Sequence, residues 1–427
     1  MILAGVSISL LLDENGIIKK SKDARREYGT SKTNEQEQMD NAGDWIDEAV
    51  TGKKSNVVKS FKEAKTENST IDGKKEGNAN NPTIPAGYIP INTETSNWGN
   101  GKDAPSQDSV KHGLVIKDEK DNEWVWVPVP DVTVMCNTSN TAEYTLCGTT
   151  GDTAVKTKLY SKSEIISGKT RTTPGTSTSG SYREPDLVVG NDGAKYDAKD
   201  TFYKTILGKT GTKEQLAQLF ADEYKAMIES VSKYGGFYIG RYELSGTVTE
   251  PTEKPEKTLT KTDWYNLYNA CRSSKLQASD KVKTQMIWGC QWDVTMNWLI
   301  SSGAKTSDEV NKDSSTWGNY KNYNTENNYT EGTAGYEKNA GSLQNTGSSE
   351  NWKANNIYDL AGNCFEWTQE ANNTDSRAFR GGSYFSYGFS NPASYRTNGY
   401  SRPDLSDYGQ LRFSSHFNNK VILDTRA

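Results

Sequence analysis

The sequence is short of histidine, of clustered cysteine, of surplus positive charge and of aliphatic residues. Its two histidines, His112 and His416, lie in unrelated segments, and each reads as a surface or packed imidazole. The five cysteines, at positions 136, 147, 271, 290 and 364, form no CxxC pair. A structural zinc site needs Cys and His at short fixed spacing, so that class is excluded. A formal charge of -5 leaves no broad basic footprint, which excludes nucleic acid as a partner. The apolar run of residues 1–12 stops at Asp13, whereas a membrane-spanning helix needs about 20 apolar residues. That run also lacks the basic start and the small-residue cleavage site of a signal peptide.

Only 33% of the residues are hydrophobic, and the mean hydropathy is -0.83. The apolar content must therefore be concentrated in part of the chain, with long polar loops elsewhere. What the sequence does have is Tyr and Trp, 23 and 11 of them. These side chains carry apolar area with a polar tip, and they suit wet cores as well as recognition surfaces. Cys136 and Cys147 flank a short polar loop, and a disulfide between them is an option in an oxidising compartment. The odd total leaves at least one thiol unpaired.

Along the chain, residues 29–81 are rich in Lys, Glu, Asn, Ser and Thr and read as a polar stalk or linker that buries little. From Pro82 the texture changes to β-branched and aromatic runs, and Trp124-Val125-Trp126-Val127-Pro128 reads as an early strand of a domain. Residues 131–211 are Thr-, Ser- and Gly-rich and read as a long insertion. Glu184-Pro185-Asp186 within it is taken as a turn, since three letters carry no site. Leu216, Leu219, Phe220, Tyr224, Met227, Ile228 and Val231 repeat at helical spacing, with a capping-box start at Thr212 and Gln215 and a stop at Gly235. A strand follows at residues 236–243. Further helices are expected near residues 263–272 and 292–300, and residues 304–352 read as loops with occasional short strands.

Two resemblances organise these segments. Ile2-Leu3-Ala4-Gly5-Val6-Ser7-Ile8, then Asn15-Gly16-Ile17 and a charged segment, resemble the second half of the N-terminal helix of type IV pilin-like surface proteins. This implies a truncated helix over residues 1–28, pilin-like assembly or membrane anchoring through it, and a cell-surface or extracellular location. A short core helix or strand is the other reading. The second resemblance is sharper. Asn356-Ile357-Tyr358-Asp359-Leu360-Ala361-Gly362-Asn363-Cys364-Phe365-Glu366-Trp367 is similar to the signature of formylglycine-generating enzymes. It is followed at the family's distance by Arg380-Gly381-Gly382-Ser383 and Pro392-Ala393-Ser394-Tyr395-Arg396.

This resemblance implies an α+β, C-type-lectin-like domain with long loops over residues 82–427, preceded by the N-terminal helix. It also implies a calcium site, with Asp359, Gly362, Cys364 and Glu366 matching family ligands. Oxygen donors suit Ca²⁺; alternatively Glu366 caps backbone N–H groups and Gly362 serves the turn. The active enzymes bind copper through two cysteines after the R-G-G-S motif. Here Ser386 and Asn391 stand near those positions, and a hydroxyl and an amide do not replace thiolates for a soft monovalent metal. No copper is expected, and a catalytic role fails at its defining residues.

Tyr384, Ser386, Tyr387, Phe389, Asn391, Thr397, Asn398, Tyr400, Arg402, Asp404, Ser406 and Tyr408 then form a palette like that of an antibody paratope. Lectin-fold relatives carry such a palette where diversity-generating retroelements randomise codons. A Tyr-rich loop packed on its own core is the plain alternative. The expected function is non-catalytic binding of a protein or glycan ligand at the cell surface. A copper-dependent protein-thiol oxidase and a structural pilus subunit are the competing readings.

Overall fold

The computed structural model describes residues 67–70, 77–91, 110–136, 143–144, 149–150, 153–154, 156–159, 181–184, 213–321, 341–373, 376–400, 417–418 and 421–425. The chain divides into two units, Met1–Asn56 and Val57–Ala427, and every described residue belongs to the second. The expected pilin-like helix and most of the expected stalk lie outside the described residues.

In chain order the principal elements are β1 (Tyr88–Ile91), β2 (Val115–Asp118), β3 (Glu123–Pro128), β4 (Glu143–Tyr144), β5 (Lys156–Leu159), β6 (Ser181–Glu184) and α1 (Lys213–Tyr234). These are followed by β7 (Gly236–Gly240), α2 (Trp264–Cys271), β8 (Val282–Met286), α3 (Gly289–Ser301) and α4 (Ser307–Asn311). The last are β9 (Phe365–Asn373), β10 (Ser376–Arg380), β11 (Arg396–Tyr400) and β12 (Val421–Thr425). One antiparallel sheet has the order β8-β12-β7-β3-β2-β1. A second has the order β11-β10-β9-β6-β5-β4, with Phe417–Asn418 alongside β9. Small, mostly antiparallel open sheets with few helices make an α+β arrangement.

The core answers the shortage of aliphatic residues with aromatic ones. Trp124, Trp126, Trp264, Trp288 and Trp292 are all buried, as are Tyr88, Tyr224 and Tyr238. A polar tip needs a partner once water is gone, and several of these find one on distant backbone. Trp126 Nε1 donates to Ala79 O at 3.1 Å, Tyr238 Oη to Thr83 O at 2.9 Å, and Tyr224 Oη to Met135 O at 2.6 Å. Each of these three thus buries area and fastens a distant segment in one step.

The expected helices form. α1 buries Leu216, Phe220, Tyr224, Met227, Ile228 and Val231 and stops at Gly235, whose φ is +76° and whose N–H returns to Val231 O at 2.8 Å. Thr212, the expected cap, lies outside the described residues. α2 begins at Asp263, whose side chain accepts from Asn266 N. α3 is buried along most of its length, including Gln291, Asp293 and Thr295.

Three segments differ from the sequence reading. Residues 69–70, in the expected stalk, pair with residues 83–84, so the folded unit begins before Pro82. The segment expected to be loops holds α4, which Thr306 and Glu309 start with reciprocal capping bonds; this is the capping box that the polar composition masked. The insertion is no mere decoration, since β6 pairs with β9 at Arg183 and Ala371. Among the described residues no helix is long and apolar enough to cross a membrane.

If Trp126 holds residues 77–81 to the core, Trp126→Ala should lower stability by about 3–5 kcal/mol. Urea unfolding would measure this, and a loss below ~1 kcal/mol would show that the loop is attached by other means.

Candidate functional site

The C-terminal half of the second sheet carries a loop, residues 381–395, between β10 and β11. Arg380 precedes it and Arg396 follows it, and both guanidinium groups turn into the core. There Asp293 of α3 receives Arg380 on one carboxylate oxygen and Arg396 on the other. Glu370 of β9 backs both arginines, 3.1 Å from Arg396 Nε and 3.7 Å from Arg380 Nη1. All four side chains are 0% exposed. Forked arginines suit this role, because one planar group offers several fixed donors to carboxylates. Both ends of the loop are therefore tied to one helix residue.

Backbone hydrogen bonds shape the loop between those ends. Tyr384 N donates to Asn363 O at 3.0 Å, and Lys321 N to Ser386 O at 2.9 Å. Tyr320 Oη donates to Asn391 O at 2.9 Å, and Trp292 Nε1 to Ala393 O at 3.1 Å. With its backbone held, the loop still turns large apolar side chains to solvent. Phe385 is 61% and Phe389 53% exposed, more than any other large hydrophobic side chain among the described residues. Tyr387 stacks on Phe389 with ring centres 5.4 Å apart and planes at 24°. Lys321 Nζ lies 5.0 Å from the Tyr387 ring centre and 6.0 Å from that of Phe385.

The signature segment beneath the loop is a tied turn. Asn356, Asp359, Gly362 and Asn363 all have positive φ, which Gly, Asn and Asp tolerate best. A Cβ on Gly362 would stand 2.3 Å from Asn319 O. The Asn363 amide oxygen accepts from Asn319 Nδ2 and Gln344 N. Its Nδ2 donates to Glu243, which also accepts from Cys364 N at 2.9 Å and from Thr258 Oγ1 at 3.1 Å. Asp359 Oδ2 accepts from Thr346 Oγ1 at 2.8 Å and Gly347 N at 2.9 Å.

These bonds bear on the calcium expectation. Asp359 Oδ2 is thus held by one O–H and one N–H donor. Gly362 and Cys364 flank Asn363, and the Asn363 side chain and the Cys364 N–H are bonded to protein groups. Glu366, in β9, has Oε2 3.1 Å from where a Gly381 Cβ would be, and with Asp359 and Glu243 it lies close enough to Cys364 to act on its thiol. Among the described residues no group of three or more His, Cys, Asp or Glu side chains is placed to hold a metal ion.

Of the expected contact residues, Tyr384, Ser386, Tyr387, Phe389 and Asn391 share the loop. Thr397, Asn398 and Tyr400 belong to β11, paired along β10, and not to a loop. Arg402, Asp404, Ser406 and Tyr408 lie outside the described residues, as does Cys147. Ser386 and Asn391 keep polar roles: Ser386 Oγ is 3.1 Å from Ser383 Oγ, and Asn391 gives its carbonyl to Tyr320. Cys290 and Cys364 are buried thiols in other segments. Burial pushes the Cys364 thiol well up, and the nearby Glu243, Glu366 and Asp359 carboxylates push it further. Sequence reasoning missed Phe385, Lys321, Asp293 and Glu370. Only Phe385 had a local signal, as an aromatic beside the quoted R-G-G-S motif.

No family model matches the chain, and no curated protein matches it. Among solved structures, the chain resembles PvdO from Pseudomonas aeruginosa at 13% identity, over 45% of this chain and 81% of that one, with a TM-score of 0.28. A likeness of that size carries no argument about function.

Two outcomes follow from the geometry. Asp293→Asn leaves two buried arginines short of a charge and should cost about 3–5 kcal/mol in urea unfolding; a loss under ~1 kcal/mol would remove the clamp from the account. If a calcium ion is held at residues 359–366, the melting temperature should fall in EGTA; the same midpoint in calcium and in EGTA would remove the metal.

Proposed function

We propose that residues 57–427 form a non-catalytic ligand-binding domain of the formylglycine-generating-enzyme type, with a C-type-lectin-like fold. Its contact surface is the loop of residues 384–391, centred on Phe385, Tyr387 and Phe389. The observation that carries this reading is the exposure of Phe385 and Phe389 on a loop whose backbone is fixed at both ends. Exposed aromatic side chains cost hydration, and on a rigid frame they supply contact area with little entropy left to lose on binding. The ligand is a protein or glycan, met at the cell surface, where the pilin-like resemblance of residues 2–17 would display the domain.

The donor chemistry argues against the oxidase alternative. Copper(I) takes soft thiolates, and residues 381–427 contain no cysteine. The hydroxyls of Ser383 and Ser386 and the amide of Asn391 are hard donors.

Glycan and protein arrays probed with the wild-type domain and with a triple variant, Phe385→Ala, Tyr387→Ala and Phe389→Ala, test the proposal. The variant should keep its thermal midpoint within a few degrees and lose at least ~100-fold in affinity, about 2.7 kcal/mol, as expected when aromatic hot spots are removed. Equal binding by both proteins would move the site elsewhere.

A further inference from the structure

Three carboxylates and two guanidinium groups meet in one dry cluster. Asp293 and Glu370 pair with Arg380 and Arg396, Glu184 lies beside Glu370, and all five side chains are buried. With every group ionised, the cluster would hold one uncompensated negative charge where burial makes it costly. The arrangement shows which acid is in excess. Asp293 and Glu370 each reach both arginines, whereas Glu184 is ion-paired to neither. Its Oε2 accepts from Cys290 N at 2.9 Å. Its Oε1 is buried with no hydrogen-bond partner and crowds Gly289 beside Glu370 Oε2. A Cβ on Gly289 would lie 2.5 Å from each of those two oxygens. Two carboxylate oxygens share that space without conflict when one of them carries a hydrogen.

We propose that Glu184 enters the cluster as a neutral carboxylic acid, directing its proton toward Glu370, and that this proton latches β6 of the insertion onto the frame of the 381–395 loop. Loss of the proton in mildly alkaline solution puts a second bare carboxylate against Glu370 and loosens Ser181–Glu184. The latch does not depend on what the loop binds.

The groups facing Glu184 come from every neighbouring element. They are Glu370 on β9, Cys290 and Asp293 on α3, and Tyr224 on α1, with Arg380 and Arg396 behind Glu370 and Asp293. Burial, followed by the Glu370 carboxylate, pushes the Glu184 carboxyl up to about 8. The Cys290 thiol and the Tyr224 phenol are both pushed well above their usual values, burial being the main cause, and stay neutral across the range that matters. The sign of the effect is fixed. An acid whose folded value is raised holds a proton that the unfolded chain has released, so stability falls as pH rises from about 4.5 toward about 8 and levels off above.

The test compares the whole chain with Glu184→Gln, whose amide keeps the shape of the acid and stays neutral. The unfolding equilibrium constant of the wild type, relative to the variant, should grow by up to ~10-fold per pH unit across that window. Amide exchange, corrected for intrinsic rate, should show residues 181–184 losing protection by about pH 9 in the wild type and keeping it in the variant. Parallel pH profiles for the two proteins would overturn the proposal. Should the variant not fold, the wild type alone decides. A protonated-carboxyl infrared band at pH 7 that vanishes by about pH 9 supports the latch, and its absence at pH 7 refutes it.

Discussion

One carboxylate, that of Asp293, sets the geometry from which the candidate site follows. It accepts one arginine from each flank of the 381–395 loop, so β10 and β11 leave and re-enter the core at positions fixed against α3. A buried ion pair is weak evidence for stability, because desolvation offsets much of the attraction. Its value here is geometric. Arginine forks fix direction as well as distance, and Glu370 behind them keeps both guanidinium groups in place. The loop can then hold exposed rings without the frame shifting beneath them.

The core shows how a sequence poor in aliphatic residues folds. Trp126, Tyr224 and Tyr238 each bury a ring and end in a hydrogen bond to the carbonyl of a distant segment. Long loops, which would otherwise leave polar backbone facing apolar side chains, are thereby satisfied. The signature turn follows the same logic with carboxylates and amides. Asn363 and Glu243 tie three segments together through hydrogen bonds, which gives Asn363 of the motif a folding role.

Much of this was legible in the sequence where periodicity is strong. The stripe from Leu216 to Val231 gave α1, Gly235 gave its end, and residues 236–243 and 124–128 gave strands that pair with each other as β7 and β3. The loop after R-G-G-S and three of its aromatic residues, Tyr384, Tyr387 and Phe389, were also readable. What could not be read was long-range. Glu184 sits in a polar insertion and looks like part of a turn, yet it is buried because β5 and β6 extend the second sheet. Asp293 is the one charged residue in its helix, and nothing local says that two arginines far along the chain will meet it. Strand β11 hid for a different reason: its Asn and Gly residues lack β propensity, and pairing along β10 supplies what propensity does not.

The position of β12 has a consequence for how the chain reaches this state. β12 lies between β7 and β8, with Tyr238 opposite Leu423 and Thr284 also opposite Leu423. Until residues 421–425 arrive, β8 has no partner in this sheet and β7 is paired on one side only, by β3, and the chain closed by that pairing contains the signature turn, the clamp and the loop. Closing so large a ring comes late, because its entropy must be spent before the contacts repay it. The domain is thus committed to slow, highly non-local folding, and a break anywhere between β7 and β12 would separate the partners on which the central register depends.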